Sequence, residues 1–388
     1  MNNSKRFIKY LDSYDKEKQY DYMDYAIMMK NIQQDYYNSH SQNPYIMHDS
    51  IFKYNVNNSP TSINSNNKTE TKELCVIDMS FTNISDLIDI INNYSYDENK
   101  EYNIDLKSLH NIKSELIELN NMIGLTELKQ SIFEQLLYFM QNLHIGEKNG
   151  DYKHTILFGP PGTGKTEIAK IIGQMYSKIG VLKNNIFKKV TRNDLIAGYL
   201  GQTAIKTKKV VEECVGGVLF IDEAYSLSNG DTNDSYSKEC LDVLCECLSD
   251  YKNELMVIVA GYEDELNNTI FRVNQGLSSR FIWRFHIDIY NHKELLKIFK
   301  KKVEEQGWVL HDEIDENWFL KNHKDFLSYG RDMETLLTCV KISHGTRIYG
   351  NAEVKKKMIN IDDMNNGYKK FKKNKNIKKN SVLTTMYI

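Results

Sequence analysis

The sequence predicts an α/β domain built on a mostly parallel sheet, followed by a small helical subdomain. Three observations carry this. Thr155–Phe158 is a short apolar run that breaks into a glycine-rich turn and then a helical pattern opening at about Lys165. Further strands are expected at Ile186–Thr191, Gly217–Asp222, Leu255–Ala260 and Ile282–Ile287, with helical patterns between them, the order of successive βαβ units. After Asn291 the strand signals stop, and helical patterns occupy 291–306, 315–328 and 331–345. Runs such as Val218-Leu-Phe-Ile221 are apolar throughout, as strands covered on both faces must be.

The chain has 388 residues, room for two or three modest domains. The expected divisions are a tyrosine- and asparagine-rich, partly disordered N-terminal region at 1–73, a small strand–helix segment and linker at 74–116, the α/β domain at 117–288, a helical lid at 289–365 and a lysine-rich tail at 366–388. In the first of these, Tyr20, Met23, Ile27 and Met28 recur on one face of a helix over 15–38, and 58–73 reads as a flexible linker. Leu74–Phe81 reads as a strand and Ser85–Asn92 as a short helix capped by Ser85. Leu109, Ile112, Leu116 and Leu119 recur at helical spacing. A long amphipathic helix is then expected through Leu128, Ile132, Leu136, Phe139 and Leu143. The lysines crowded into 369–379 predict a solvated, disordered tail, with contact to acidic partners or nucleic acid as the other reading.

A net charge of −2 argues against a whole-molecule polyanion binder. Cys75, Cys214, Cys240, Cys245, Cys247 and Cys339 form no C-x-x-C pair, so free thiols in a reducing compartment are expected. The N-terminus leads into no apolar signal segment, and no run reaches the ~18 apolar residues of a membrane helix. A soluble, intracellular protein is expected, with no membrane partner.

The turn after Phe158 is Gly159-Pro160-Pro161-Gly162-Thr163-Gly164-Lys165-Thr166, which fits the phosphate-binding pattern G-x-x-x-x-G-K-[ST]. Gly162 and Gly164 let backbone N–H groups turn inward on phosphate oxygens, and the helix that follows adds its positive end. Lys165 is expected at the β/γ-phosphates of ATP and Thr166 on Mg²⁺. Downstream, Val218–Ile221 ends in Asp222 and Glu223. Asp222 is placed to hold Mg²⁺ through water, and Glu223 to polarise the attacking water.

These two motifs together, Gly-Pro-Pro-Gly-Thr-Gly-Lys-Thr and Gly-Gly-Val-Leu-Phe-Ile-Asp-Glu-Ala-Tyr225, resemble those of the AAA+ P-loop ATPases. Within them the chain is similar to the group of red-type Rubisco activase and stage V sporulation protein K, from about Leu116 to Asp363. The resemblance implies further roles. Ile123 and Gly124 match the segment that lies against adenine. Arg280, closing Phe271–Phe281, matches the arginine finger that completes a neighbouring subunit's site. Arg331 matches the second sensor, which reaches the γ-phosphate from the lid; one turn on, Glu334-Thr335 departs from the Arg-Asn pair frequent in the group. Tyr262 stands at the first-sensor position and offers a hydroxyl or simply packs. Tyr199-Leu200-Gly201 looks like the aromatic–hydrophobic–glycine loop of hexameric AAA+ pores, which grips an extended polypeptide.

The reading is a Mg²⁺-dependent ATPase, a ring homo-oligomer and specifically a hexamer, that remodels a protein partner. Two other readings stay open. One is an ATP-dependent nucleic-acid motor or loader, which the lysine run favours and the near-neutral charge opposes. The other is an assembly scaffold held together by ATP.

Overall fold

The computed structural model describes residues 72–146, 150–199, 201–228, 234–311, 314–350 and 357–385. The expected helix at 15–38 lies outside them, as does the linker up to residue 71. The described residues belong to one compact unit, Glu70–Ile388.

Five parallel strands form the central sheet. In chain order they are β3 (Thr155–Phe158), β4 (Phe187–Val190), β5 (Val218–Ile221), β6 (Met256–Gly261) and β7 (Trp283–His286), arranged in space as β4-β5-β6-β3-β7. β1 (Glu73–Cys75) and β2 (Lys100–Tyr102) make a separate two-stranded parallel pair. Side chains alternate across the central sheet because the strand period is two. Leu157, Phe220, Ile258 and Phe285 face a core filled by helices Thr126–Met140 and Lys165–Lys178. Ile156, Leu219, Ile221 and Val259 face the other core, filled by helices Gln202–Glu212 and Ser235–Asp250. Each core strand lies within one or two residues of its expected range.

The segment at 74–116 differs from expectation. Its strand stops at Cys75, and Leu74 and Val76 are exposed. Helix Ile84–Asn93 is capped by Asn83, which accepts from the N–H groups of Ser85 and Asp86 while Asp86 bonds back to the cap. Ser85 therefore lies inside the first turn, because the reciprocal Asn83–Asp86 box satisfies more free donors than a serine cap would. Ile84, Leu87 and Ile91 share a core with Leu116, Leu128 and the sheet, so the segment packs on the α/β domain. The amphipathic helix ends at Met140, and Leu143, expected on its buried face, is 60% exposed in the turn beyond.

Two further expectations fail in the lid. Helices His292–Glu305, Glu316–Asn322 and Tyr329–Ile348 are present, but strands do not stop at Asn291. β8 (Val309–Leu310) pairs in parallel with β9 (Met358–Ile359), two residues each. The lysine-rich stretch is not a disordered tail either. Helix Ile361–Thr385 crosses Tyr329–Ile348 so closely that a Cβ on Gly367 would lie 2.6 Å from Val340 Cα. Phe371 is only 2% exposed in the lid core. Lys372 and Lys375 pair with Asp325 and Asp332 at 3.0 and 2.9 Å, so part of the charge run faces inward to acids of the lid.

Candidate nucleotide-binding site

β3, β5 and β6 all end on one edge of the sheet, and most of the sequence-derived site residues follow those ends. The Gly159 N–H donates to the Gly261 carbonyl at 3.1 Å, which fixes the start of the phosphate loop to the end of β6. Lys165 folds back over the loop, and its Nζ donates to the carbonyls of Gly159 and Pro160 at 2.8 and 2.7 Å. The Thr163 hydroxyl donates to the Pro160 carbonyl at 2.8 Å. Burial lowers the Lys165 pKa, opposed by the carboxylates of Asp222 and Glu223. Gly162 has φ +77°, and a Cβ there would lie 2.1 Å from the Ser328 carbonyl oxygen. A loop cradle that admits no Cβ, opening onto the N-terminus of helix Lys165–Lys178, fits a polyphosphate.

At the end of β5 the Asp222 carboxylate accepts from the Glu223 N–H at 3.1 Å through one oxygen. Its other oxygen accepts from Lys189 Nζ at 2.6 Å. The same Nζ lies 3.5 Å from the Thr166 hydroxyl oxygen. Thr166 and Asp222 thus face one point, and a cationic group already bridges them, so the pair fits a Mg²⁺ ion. Glu223 is exposed and holds φ +50°, a left-handed conformation uncommon outside glycine. Tyr262 follows β6, is 38% exposed and lies 6.1 Å from the Tyr225 ring. Burial and then the Glu223 charge raise its hydroxyl pKa.

Ile123 joins Gly162, Thr163 and Gly164 in the lining of a cavity of about 490 Å³, with Met122, Tyr290 and Gly330 among the other walls. Gly124 does not line this space. It opens on the adjoining groove with Thr126 and Lys129, and its α-carbon is backed by Glu294 and Tyr290. The lid reaches the loop directly. Gly330 N–H donates to the Gly162 carbonyl at 3.0 Å, and the Tyr290 hydroxyl donates to the Thr163 carbonyl at 3.2 Å. Burial, then Glu294 and Asp288, push the Tyr290 hydroxyl pKa up to about 12, so it remains a donor at neutral pH. Arg331 stands in the first turn of the lid helix, and its charge acts on both Lys165 and Tyr262.

Arg280 lies elsewhere. Its Nε donates to the Ser249 hydroxyl at 2.7 Å and its Nη1 to the Gly276 carbonyl at 2.6 Å. Its charge is felt by His154, just before the N-terminal end of β3, whereas the phosphate loop follows the C-terminal end of that strand. Tyr199 is 73% exposed before helix Gln202–Glu212, with Gly201 as the left-handed residue that opens the helix. Leu200 lies outside the described residues.

Sequence reasoning missed two groups here. Lys189 looks like an ordinary edge-strand lysine until the β4–β5 pairing brings it to Asp222. Tyr290 comes from the junction between β7 and the lid, and only its place after the last strand hinted that it would face the loop.

A five-stranded parallel sheet with a phosphate loop after one strand and a carboxylate pair after another defines a P-loop NTPase. Residues 155–285 match the family model "ATPase family associated with various cellular activities (AAA)". The putative cfxQ-like protein R730 of Acanthamoeba polyphaga mimivirus is 36% identical over 315 residues, covering 80% of this chain and 77% of that protein. The CfxQ homolog of Pyropia yezoensis is 32% identical, covering 62% of this chain and 83% of its own. Stage V sporulation protein K of Bacillus subtilis is 33% identical, covering 53% of this chain and 64% of its own. Among solved structures, the FIGL-1 AAA domain superposes with a TM-score of 0.48 at 20% identity, covering 68% of this chain and 89% of that one. The chain belongs to the AAA+ ATPases, related to the CfxQ-like proteins and stage V sporulation protein K. Its activity is nucleotide hydrolysis, and the family binds ATP with Mg²⁺. No helix among the described residues is long and apolar enough to cross a membrane.

Proposed function

We propose that this ATPase works as a ring homo-oligomer, a hexamer, and that hydrolysis drives the remodelling of a protein partner held by the Tyr199 loops. The observation that carries the reading is the split of the site residues. Lys165, Thr166, Asp222 and Glu223 gather at one end of the sheet, while Arg280 stands beside the other, away from this subunit's own phosphate loop, which supports a role at a neighbouring subunit's nucleotide.

In this reading the loop from Gly159 to Gly164 binds the phosphates, and Lys165 turns from its carbonyl partners to the β/γ-phosphates. Thr166 and Asp222 hold the metal. Mg²⁺, when bound, supplies charge neutralisation on the phosphate oxygens. Glu223 orients the attacking water and takes its proton. Arg331 from the lid and Arg280 from the next subunit stabilise charge that develops on the γ-phosphoryl group. Ile123 packs on adenine, Gly124 shapes the turn behind it, and Tyr262 lends its hydroxyl to the water side of the site. The exposure of Tyr199 and the open surroundings of Gly201 support a loop free to meet a polypeptide.

A nucleic-acid motor is less well supported. Two lysines of the run that favoured it, Lys372 and Lys375, pair with acids of the lid.

The test is the ATPase rate per protomer against protein concentration for wild type, Glu223→Gln and Arg280→Ala. The reading expects a rate that rises with concentration and is lost in both variants. A concentration-independent rate indifferent to Arg280 would show a site complete within one subunit, and the ring would lose its basis.

A further inference from the structure

Lys189 is not needed by any role above, yet it stands at the centre of the site. It is paired in register with Phe220 across β4 and β5, and its Nζ lies 5.8 Å from that ring's centroid. This directs the side chain along the sheet toward Asp222, two residues beyond Phe220. There Nζ contacts both groups assigned to the metal, Asp222 Oδ2 at 2.6 Å and Thr166 Oγ1 at 3.5 Å. A Mg²⁺ ion held by Thr166 and, through water, by Asp222 would need the space between these two oxygens, which is where the ammonium lies. Two cations do not share it without strong mutual repulsion.

We propose that Lys189 is a tethered cation that holds the metal locus between Thr166 and Asp222 and must swing away before Mg²⁺ enters. The inference rests on the reading of Thr166 and Asp222 as the metal site. It makes Lys189 a positioning residue that sets how much divalent cation the site requires. The residue keeps the two oxygens converged and charge-balanced when no metal is present, and raises the Mg²⁺ concentration needed for loading. Lys189 is partly exposed, with room to turn into solvent, so the exchange needs no backbone movement.

The probe is Mn²⁺, whose free form is counted by its EPR signal, titrated into the full chain at saturating ADP. An exposed ion pair contributes up to about 1 kcal/mol, so its removal in Lys189→Met is expected to tighten Mn²⁺ binding about five-fold. Lys189→Arg keeps the charge and is expected to stay near wild type. ADP binding without divalent metal, followed with a fluorescent analogue, should weaken in Lys189→Met, because an unpartnered Asp222 then repels the phosphates. Mn²⁺ affinity unchanged or weaker in Lys189→Met would overturn the proposal. Asp222→Asn separates the two layers. Weaker Mn²⁺ binding in Asp222→Asn beside an unchanged Lys189→Met would sink the competitor and leave the metal site standing. Unchanged Mn²⁺ binding in Asp222→Asn would overturn both.

Discussion

The Gly330 N–H donates to the carbonyl of Gly162 at 3.0 Å, so the lid helix begins on the phosphate loop itself. Gly162 has no room for a side chain, with the Ser328 carbonyl 2.1 Å from where a Cβ would stand. Gly162→Ala must therefore push the lid away, and it must also hold φ +77° at a cost of about 1–2 kcal/mol. The expected result is at least a tenfold loss of ADP affinity and a lower melting temperature. Fluorescent-nucleotide titration and a thermal melt measure both, and affinity equal to wild type would mean the loop and lid need not touch.

Arg280 gives a prediction about mixtures. If it completes a neighbour's site, Arg280→Ala and Glu223→Gln subunits, each inactive alone, should regain activity when co-assembled. In such a ring some interfaces pair an intact Glu223 with an intact Arg280. A mixture as inactive as its components would count against the trans assignment.

Burial pulls the His154 imidazole down from 6.5 to about 4. Its Nε2–H donates to the Leu248 carbonyl and its Nδ1 accepts from the Val257 N–H, both at 3.1 Å, so the neutral ring is the one that fits. The unfolded chain binds a proton between those values that the folded one refuses. This contribution is whole above pH 6.5 and is lost as the pH falls through about 4, a total of about 3 kcal/mol. Denaturant unfolding at pH 7 and pH 5 should show the slope in wild type. His154→Asn, which does not titrate, should flatten it.

Phe371 anchors the lysine-bearing helix in the lid, in contact with Phe326 and Tyr368. Phe371→Ala is expected to destabilise the lid by about 3–5 kcal/mol. Trp318 packs on Tyr368 and Phe326, so its fluorescence reports the lid's unfolding. A Trp318 transition unmoved by Phe371→Ala would mean that this helix is not part of the lid's cooperative unit.

The central sheet was legible because its strands are short apolar runs with both faces covered, and such runs permit few alternatives. Met364, Gly367, Tyr368 and Phe371 stand at helical spacing, but the lysines between them conceal the pattern, and a charge run reads as solvent-exposed. β8 and β9 are two residues each, too short to carry a period. Within the site, the phosphate loop and the Asp222–Glu223 pair are local motifs whose chemistry is written in adjacent residues. The place of Lys189 is set by which strand lies next to which, and neither strand's residues announce that.

Glu223 bears one more consequence. It stands in a left-handed conformation, φ +50°, at the step from β5 into the turn that follows. Glycine would relax that step by about 1 kcal/mol, and would remove the carboxylate. With Glu223 in the water-orienting role proposed above, a population of variants sorted for heat resistance alone would gather glycine at 223 and grow sturdier as it fell silent. Endurance and turnover ask opposite things of this one position, so any screen for a hardier form of this ATPase has to score hydrolysis in the same round.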